Sequence, residues 1–210
     1  PQSSKDKMLE LVNNLKIALG QHIDNLTWMS DATKAKAKEK LAQNGIVGNE
    51  KLAKQIGICA MKFGDLSNFV SKDYIFDIDR FTSFEGDTGP YLLYTVVRIK
   101  SILNRFVQEG GDISNLTCAE YQNASEKNLM MQLTLFNSMM EGAYEEVAPQ
   151  RVCAYLYDLA NAFNSFYHET KILSEENEER KAGYIALLNI TKRVLETCID
   201  VLGFEAPERM

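Results

Sequence analysis

Residues 149–169 read "PQRVCAYLYDLANAFNSFYHE". Within them Val152, Leu156, Leu159, Phe163 and Phe166 recur at intervals of four, three, four and three, which is the spacing of one face of an α-helix. The spacing predicts a helix that opens at Pro149 and runs to near Leu173. With Phe163 at the centre of the apolar face and about 100° per residue, the other four apolar residues lie within about 60° of it. Tyr167, at about 40° on the same wheel, falls with the core. Tyr157, Asn161, Asn164 and His168 fall together at about 100–160°, as a separate polar stripe. By periodicity alone that stripe is the wet face of a bundle helix.

Working outward, the same period dominates the chain. Met8, Leu11, Leu15 and Leu19 are helically spaced, and Ser30 is placed to cap a second run rich in alanine and lysine. "QNGIVGNE" (43–50) carries an Asn44-Gly45 turn signal and marks a junction. Leu52, Ile56, Cys59, Ala60 and Phe63 resume the helical pattern. "KDYIFDIDRF" (72–81) alternates Tyr74, Phe76 and Ile78 with Asp73, Asp77 and Asp79, and is predicted to be a short strand. Helices follow at about 89–109 and at about 119–141, the latter carrying Leu129, Leu133, Phe136 and Met140. A last helix is expected to be capped by Ser174. Glu175, Glu176 and Glu178 would suit its positive end, and it would run through Ile185, Leu188, Leu195 and Leu202 to near Gly203. Amphipathic helices of this length with short links predict an all-α helix bundle, with one short strand-like stretch.

Composition narrows the function. The 210 residues are 45% apolar and 25% charged, as in a soluble globular protein. No run of about 18 apolar residues is present to span a membrane. The opening "PQSSKDKM" has no apolar core, so no signal peptide is expected. Cys59, Cys118, Cys153 and Cys198 form no CxxC pair, which argues against zinc and for thiols in a reducing, cytoplasmic setting. A net charge of −6 argues against a broad nucleic-acid-coating surface, while leaving room for a local basic face.

Sites of chemistry are scarce. "FEGDTGPYLLYTVVR" (84–98) has the glycines of a phosphate loop, but Glu85 and Asp87 would repel a phosphate. A helix start accounts for every residue: Asp87 or Thr88 caps, Pro90 sits in the first turn, and the glycines allow a sharp turn. The two histidines, His22 and His168, are far apart, and no H-E-x-x-H, Walker or G-x-S-x-G pattern occurs. No catalytic or metal-binding residue is assigned. From spacing alone the chain is a helical binding module.

Longer pieces carry a resemblance. "IGICAMKFGDLSN", "KDYIFDIDRFTSFEGDTGPYLLYTVVRIKSIL", "RVCAYLYDLANAFNSFYHE" and the terminal "LGFEAPERM" stand in the order in which similar pieces occur in arginyl-tRNA synthetases. The last ends at the chain terminus, as it does in that family. From about Asn49 to Met210 the chain resembles the C-terminal region of those enzymes, which implies an all-helical anticodon-binding domain of the DALR type. Residues 7–42, above all "DNLTWMSDATKAKAKEKL", resemble a non-catalytic helical segment of neprilysin-type zinc metallopeptidases. The chain therefore looks like a chimera. It divides into a helical extension (1–42), a junction (43–48), the tail of a synthetase catalytic domain (49–88) and an anticodon-binding bundle (89–210).

The resemblance also implies a partner and a division of labour. The synthetase H-I-G-H-type and K-M-S-K-type ATP motifs are absent, as are the peptidase's zinc ligands. The chain alone is therefore expected neither to aminoacylate nor to cleave peptides, and to need no cofactor, ATP belonging to the full-length parent. The expected partner is an arginine tRNA, bound by a monomer, with no DNA or membrane partner. Tyr157, Asn161, Asn164 and His168 are aromatic and amide-bearing types that stack on and hydrogen-bond splayed bases. With Met210 in the C-terminal tail, they are the base-contact candidates. Arg98, Lys100, Arg105, Arg193 and Arg209 are the phosphate-contact candidates. The alternative is an inert helical chimera with no ligand.

Overall fold

The computed structural model describes residues 50–75, 77–114 and 116–209. The helices expected over 7–42, the junction at 43–48 and Met210 lie outside the described residues. The described chain is helical, with no strand among those residues, and divides into two units. No helix among them is long and apolar enough to cross a membrane.

The first unit holds residues up to Asp65 and Asp73–Tyr91. Helix α1 (Glu50–Leu66) buries Ile56, Cys59, Ala60 and Phe63, the helically spaced positions. The predicted strand at 72–81 is a correction. Its first part is irregular, and α2 (Ile78–Phe81) is a single helical turn. Alternation needs a neighbouring strand to become a sheet, and the described residues offer none. The local bonds favour a turn instead: Asp77 Oδ1 accepts from the backbone N–H of Asp79 (3.0 Å) and of Arg80 (3.3 Å). Tyr74 packs its ring on Phe81 (6.0 Å between centroids) and donates its hydroxyl to Asp65 Oδ1 (2.8 Å). Burial and that carboxylate together push the Tyr74 phenol up to about 12.

Helix α3 (Gly89–Gln108) begins in the glycine-bearing stretch. Thr88 is the cap. Its Oγ1 accepts from the Tyr91 N–H (3.3 Å) and donates to the Ser83 carbonyl (2.6 Å). Gly89 is glycine because α1 passes against it: a Cβ there would stand 2.6 Å from Cys59 Sγ and 2.7 Å from the Cys59 carbonyl oxygen. The stretch is a helix start set by close packing.

The second unit comprises Leu66–Lys72 and Leu92–Arg209. It adds α4 (Ala124–Thr134), α5 (Phe136–Glu145), α6 (Pro149–Glu169) and α7 (Glu178–Val201). Helix α6 packs on α4, α5 and α7. Its predicted stripe of Val152, Leu156, Leu159, Phe163 and Phe166 is buried, and so are Cys153, Tyr155, Ala160 and Ala162. The extra burial reflects neighbours on more than one side. Tyr155 reaches out of that core by donating its hydroxyl to the Gln132 carbonyl (3.1 Å). Each fully buried leucine or phenylalanine stabilises the fold by about 1.5–3 kcal/mol. On α7, Ile185, Leu188 and Leu195 are buried, as is Leu202 just beyond it.

Three expected boundaries move. The helix expected over 119–141 is two helices broken at Leu135, whose N–H donates three residues back to Gln132 (3.2 Å). Thr134 Oγ1 and Ser138 Oγ donate to the Met131 and Leu135 carbonyls, the back-bonding that competes with a regular ladder. Helix α6 ends at Glu169, short of Leu173. Helix α7 is capped by Asn177, whose Oδ1 accepts from the Arg180 N–H (3.0 Å), rather than by Ser174. Helix α4 has a cap the sequence reading passed over. Asn123 Oδ1 accepts from the Glu126 N–H (2.7 Å), while the buried Glu126 carboxylate accepts from the Gln122 N–H (2.8 Å). That is close to a capping box.

The segment leading into α4 lies directly on α7. A Cβ on Gly183 would stand 2.7 Å from Ala119 Cβ and 3.1 Å from the Ala119 backbone nitrogen. After α7 the chain turns at Gly203 and lays Phe204 and Pro207 into buried positions. The four thiols are free, with Cys59, Cys153 and Cys198 buried and Cys118 exposed. Burial pushes the Cys198 thiol up to about 12.

Candidate nucleic-acid interface

Helices α3 and α6 meet through polar side chains. Thr95 is buried on α3, and the Asn164 amide Nδ2 of α6 approaches its Oγ1 at 3.4 Å. Asn164 Oδ1 accepts from Arg98 Nη1 (3.0 Å), and Arg98 Nη2 donates to the Tyr94 hydroxyl (2.9 Å). The Arg98 guanidinium lies 4.6 Å from the Tyr94 ring centroid and 5.0 Å from that of Tyr167. Tyr167 in turn stacks on the buried Phe163 (5.9 Å, 30°) and meets the His168 ring edge-on (5.7 Å). The result is a surface run of flat groups, Tyr94, Arg98 and Tyr167, fixed from below by Asn164 and Phe163.

A cleft of about 540 Å³ opens beside Tyr167. Arg105 of α3, His168 of α6 and Lys171 of the loop after α6 line it, with Glu109 beside Arg105. Arg105 pairs with Glu109 (2.9 Å), but both are well exposed, so the pair is worth little and yields readily to a phosphate. In a chain of net charge −6 this is a local basic face. Among the described residues no group of His, Cys, Asp or Glu could hold a metal ion.

The stripe predicted on α6 is divided. Asn164 turns to α3 and His168 to the cleft, while Tyr157 and Asn161 are half-buried nearer the helix start. At 1.5 Å per residue, Tyr157 and His168 are about 16 Å apart along the axis. Tyr167, read as core, is instead a surface residue 37% exposed, with Phe163 and the Arg98 guanidinium against its ring. Lys100, read as a phosphate contact, is buried, with its ammonium 2.6 Å from Glu208 Oε1 and 3.0 Å from Glu196 Oε1. A phosphate would have to displace two carboxylates to reach it. Arg193 and Arg209 are exposed on α7 and in the tail. Tyr94 was missed, although its place four residues before Arg98 puts both on one helical face.

The described residues thus form an all-α helical bundle with a stacked aromatic–guanidinium surface beside a basic cleft. Residues 92–210 match the family described as the DALR anticodon binding domain, and the chain belongs to that family. A second family, described as Peptidase family M13, matches residues 1–45. The chain is 64% identical over 163 residues to an arginine–tRNA ligase of Agathobacter rectalis, covering 77% of this chain and 27% of that protein. It is 50% identical over 161 residues to the arginine–tRNA ligase of Alkaliphilus oremlandii, again covering 77% and 27%. The chain thus spans about a quarter of the length of these relatives. Among solved structures, Thermus thermophilus arginyl-tRNA synthetase superposes with a TM-score of 0.72 at 27% identity, over 94% of this chain and 32% of that one. The Plasmodium falciparum enzyme shares the fold at a TM-score of 0.70 and 23% identity, over 95% and 33%.

Proposed function

We propose that residues 89–210 bind the anticodon stem-loop of an arginine tRNA, as a monomer that needs no cofactor to do so. The observation that carries this is the Tyr94–Arg98–Tyr167 surface beside the basic cleft, in a domain whose family is described by anticodon binding. Splayed loop bases stack on such rings, and amides such as Asn164 and Asn161 read their edges. Tyr157, His168 and Met210 extend the base-contact set, while Arg105, Arg193 and Arg209 meet phosphates. Arg98 serves both as a cation and as a stacking plate. Lys100 drops out of the phosphate set because its charge is already paired.

Titration of labelled anticodon stem-loops tests the reading. Tyr167→Ala or Asn164→Ala should weaken the arginine stem-loop by about 1–3 kcal/mol, the size of one lost stacking or base contact, and spare unrelated RNA. Arg105→Ala should weaken all RNAs alike and flatten the salt dependence by about one unit or less. Equal losses for cognate and unrelated loops in the Tyr167 variant would return this surface to ordinary wet face. With ATP, arginine and arginine tRNA, the chain should form no aminoacyl-tRNA, since the parent's ATP motifs are missing.

The chimera is part of the same reading. Residues 1–42 would derive from a metallopeptidase-like helical segment, joined at 43–48. A chain that starts at Asn49 should then keep a cooperative thermal transition.

A further inference from the structure

Lys100 is the buried cation of the second unit, and it is held by the end of the chain. Its Nζ is 2.6 Å from Glu208 Oε1, 3.0 Å from Glu196 Oε1 of α7, and 3.5 Å from the Pro207 carbonyl oxygen. An ammonium has three donors and no acceptor, and these three oxygens stand within 3.5 Å of it. Two carboxylate oxygens that share one ammonium can be no farther apart than the sum of their distances to it. Without Lys100, Glu196 and Glu208 would therefore repel at close range.

The needs of the partners are unequal. Glu208 is 80% exposed and can turn to water, whereas the Lys100 side chain is only 9% exposed and cannot. If the tail left, the buried ammonium would keep the Glu196 carboxylate and lose its shortest partner; under-pairing a buried charge is costly, so the lysine favours the tail in place. Phe204 and Pro207 are buried by their own packing, which leaves Glu208 and the adjacent Arg209 as the part that Lys100 fixes.

We propose that Lys100 is a positioning residue for RNA binding: by gripping Glu208, it fixes the exposed guanidinium of Arg209 where a phosphate of the bound stem-loop can meet it. This rests on the reading of the chain as a stem-loop binder. Lys100 touches no RNA. It acts through the tail.

The sign of one substitution separates this from bulk electrostatics. Glu208→Ala removes a negative charge, so charge alone predicts tighter RNA binding. The tail grip predicts the reverse, because Arg209 is released. The experiment uses the full chain, with an arginine anticodon stem-loop as probe and backbone amide relaxation of Arg209 as an independent measure of tail order. Glu208→Ala and Lys100→Met should each loosen Arg209 and weaken the stem-loop about three- to tenfold. Arg209→Ala should cost a similar factor in the wild type and nothing further in either background. An ordered Arg209 amide in Glu208→Ala, or tighter RNA binding by it, overturns the proposal. Full additivity with Arg209→Ala does so as well. Should Lys100→Met fail to fold, Glu208→Ala decides alone, since its side chain lies outside the core. Should the wild type bind no stem-loop, the functional reading falls and takes the RNA role of Lys100 with it, and the relaxation data still report whether Lys100 grips the tail.

Discussion

Arg98→Lys keeps the charge and removes the plane. In the wild type the guanidinium lies over the Tyr94 and Tyr167 rings and donates to Asn164 and to the Tyr94 hydroxyl. Cation–π contacts at exposed sites are worth about 0.5–1 kcal/mol each, and a lysine can keep at most part of one. The hydrogen bond to Asn164 is charge-assisted but only part-buried, so about 1 kcal/mol, below the usual range for charged partners, is appropriate. A lysine can recover one bond and not both, so the net loss of stability should be about 1–2 kcal/mol. Urea unfolding followed by circular dichroism reads it as a lower midpoint at unchanged slope. The same variant should lose about tenfold in stem-loop affinity, or 1.4 kcal/mol, because the rings lose the plate that spaces them. Wild-type stability together with wild-type affinity would show that only the charge of Arg98 matters, and would refute the stacked-surface reasoning.

Other outcomes follow from burial and charge. Phe163→Ala, at a fully buried position beneath Tyr167, should cost about 3–5 kcal/mol in thermal or urea unfolding, and should also loosen the Tyr167 ring. A thiol reagent should label Cys118 in the native chain, faster as pH rises because burial and the Glu126 charge push that thiol up, and should reach Cys59, Cys153 and Cys198 only on unfolding, since those three are buried; a second thiol labelled in the native chain would contradict the packing of α1, α6 or α7. The hydrogen bond from Lys100, opposed by burial and aided by the charges of Lys100 and Lys192, holds the Glu208 carboxyl below the ordinary glutamate range. A depressed carboxylate stabilises the tail above its unfolded pKa and loses that contribution as pH falls through the lowered value. The Arg209 amide should therefore stay ordered at neutral pH and loosen in acid, below the usual glutamate range.

What the sequence makes legible here is whatever depends on local period. The stripe Val152, Leu156, Leu159, Phe163 and Phe166 marks the core face of α6, and the all-α class follows from repeating that pattern along the chain. What it hides depends on the other side of a contact. Tyr167 sits on the same wheel sector as the core, but its neighbour on α3 is a half-buried guanidinium rather than an apolar side chain, and the ring stays 37% exposed. Lys100 looks like any surface cation until α7 and the tail close over it. The alternation around Tyr74 has the period of a strand, but it lacks a partner strand among the described residues. The capping details at Asn123 and Asn177 fall between these cases, because several residues within a turn could each serve as the cap, and packing of the preceding loop selects one. The stacked surface itself joins residues of α3 and α6 that are about seventy positions apart, a pairing that no single-segment pattern encodes.

The contact between Ala119 and Gly183 bears on how this domain can drift in sequence. Ala119 occupies the space that a larger residue at 183 would need, and the obstruction includes its backbone. Position 183 cannot grow first. A change to alanine at 183 overfills the crossing, a strain of about 1–3 kcal/mol, and a glycine at 119 relieves only its side-chain half. The pair is therefore a ratchet: neutral wandering at one site is closed unless the loop before α4 has already shifted away from α7. In a saturation library of this chain, position 183 should be nearly invariant while Asn189, farther along the same helix, accepts many residues. A lineage that has escaped the ratchet should be recognisable by a lengthened 111–123 loop rather than by any compensating side chain.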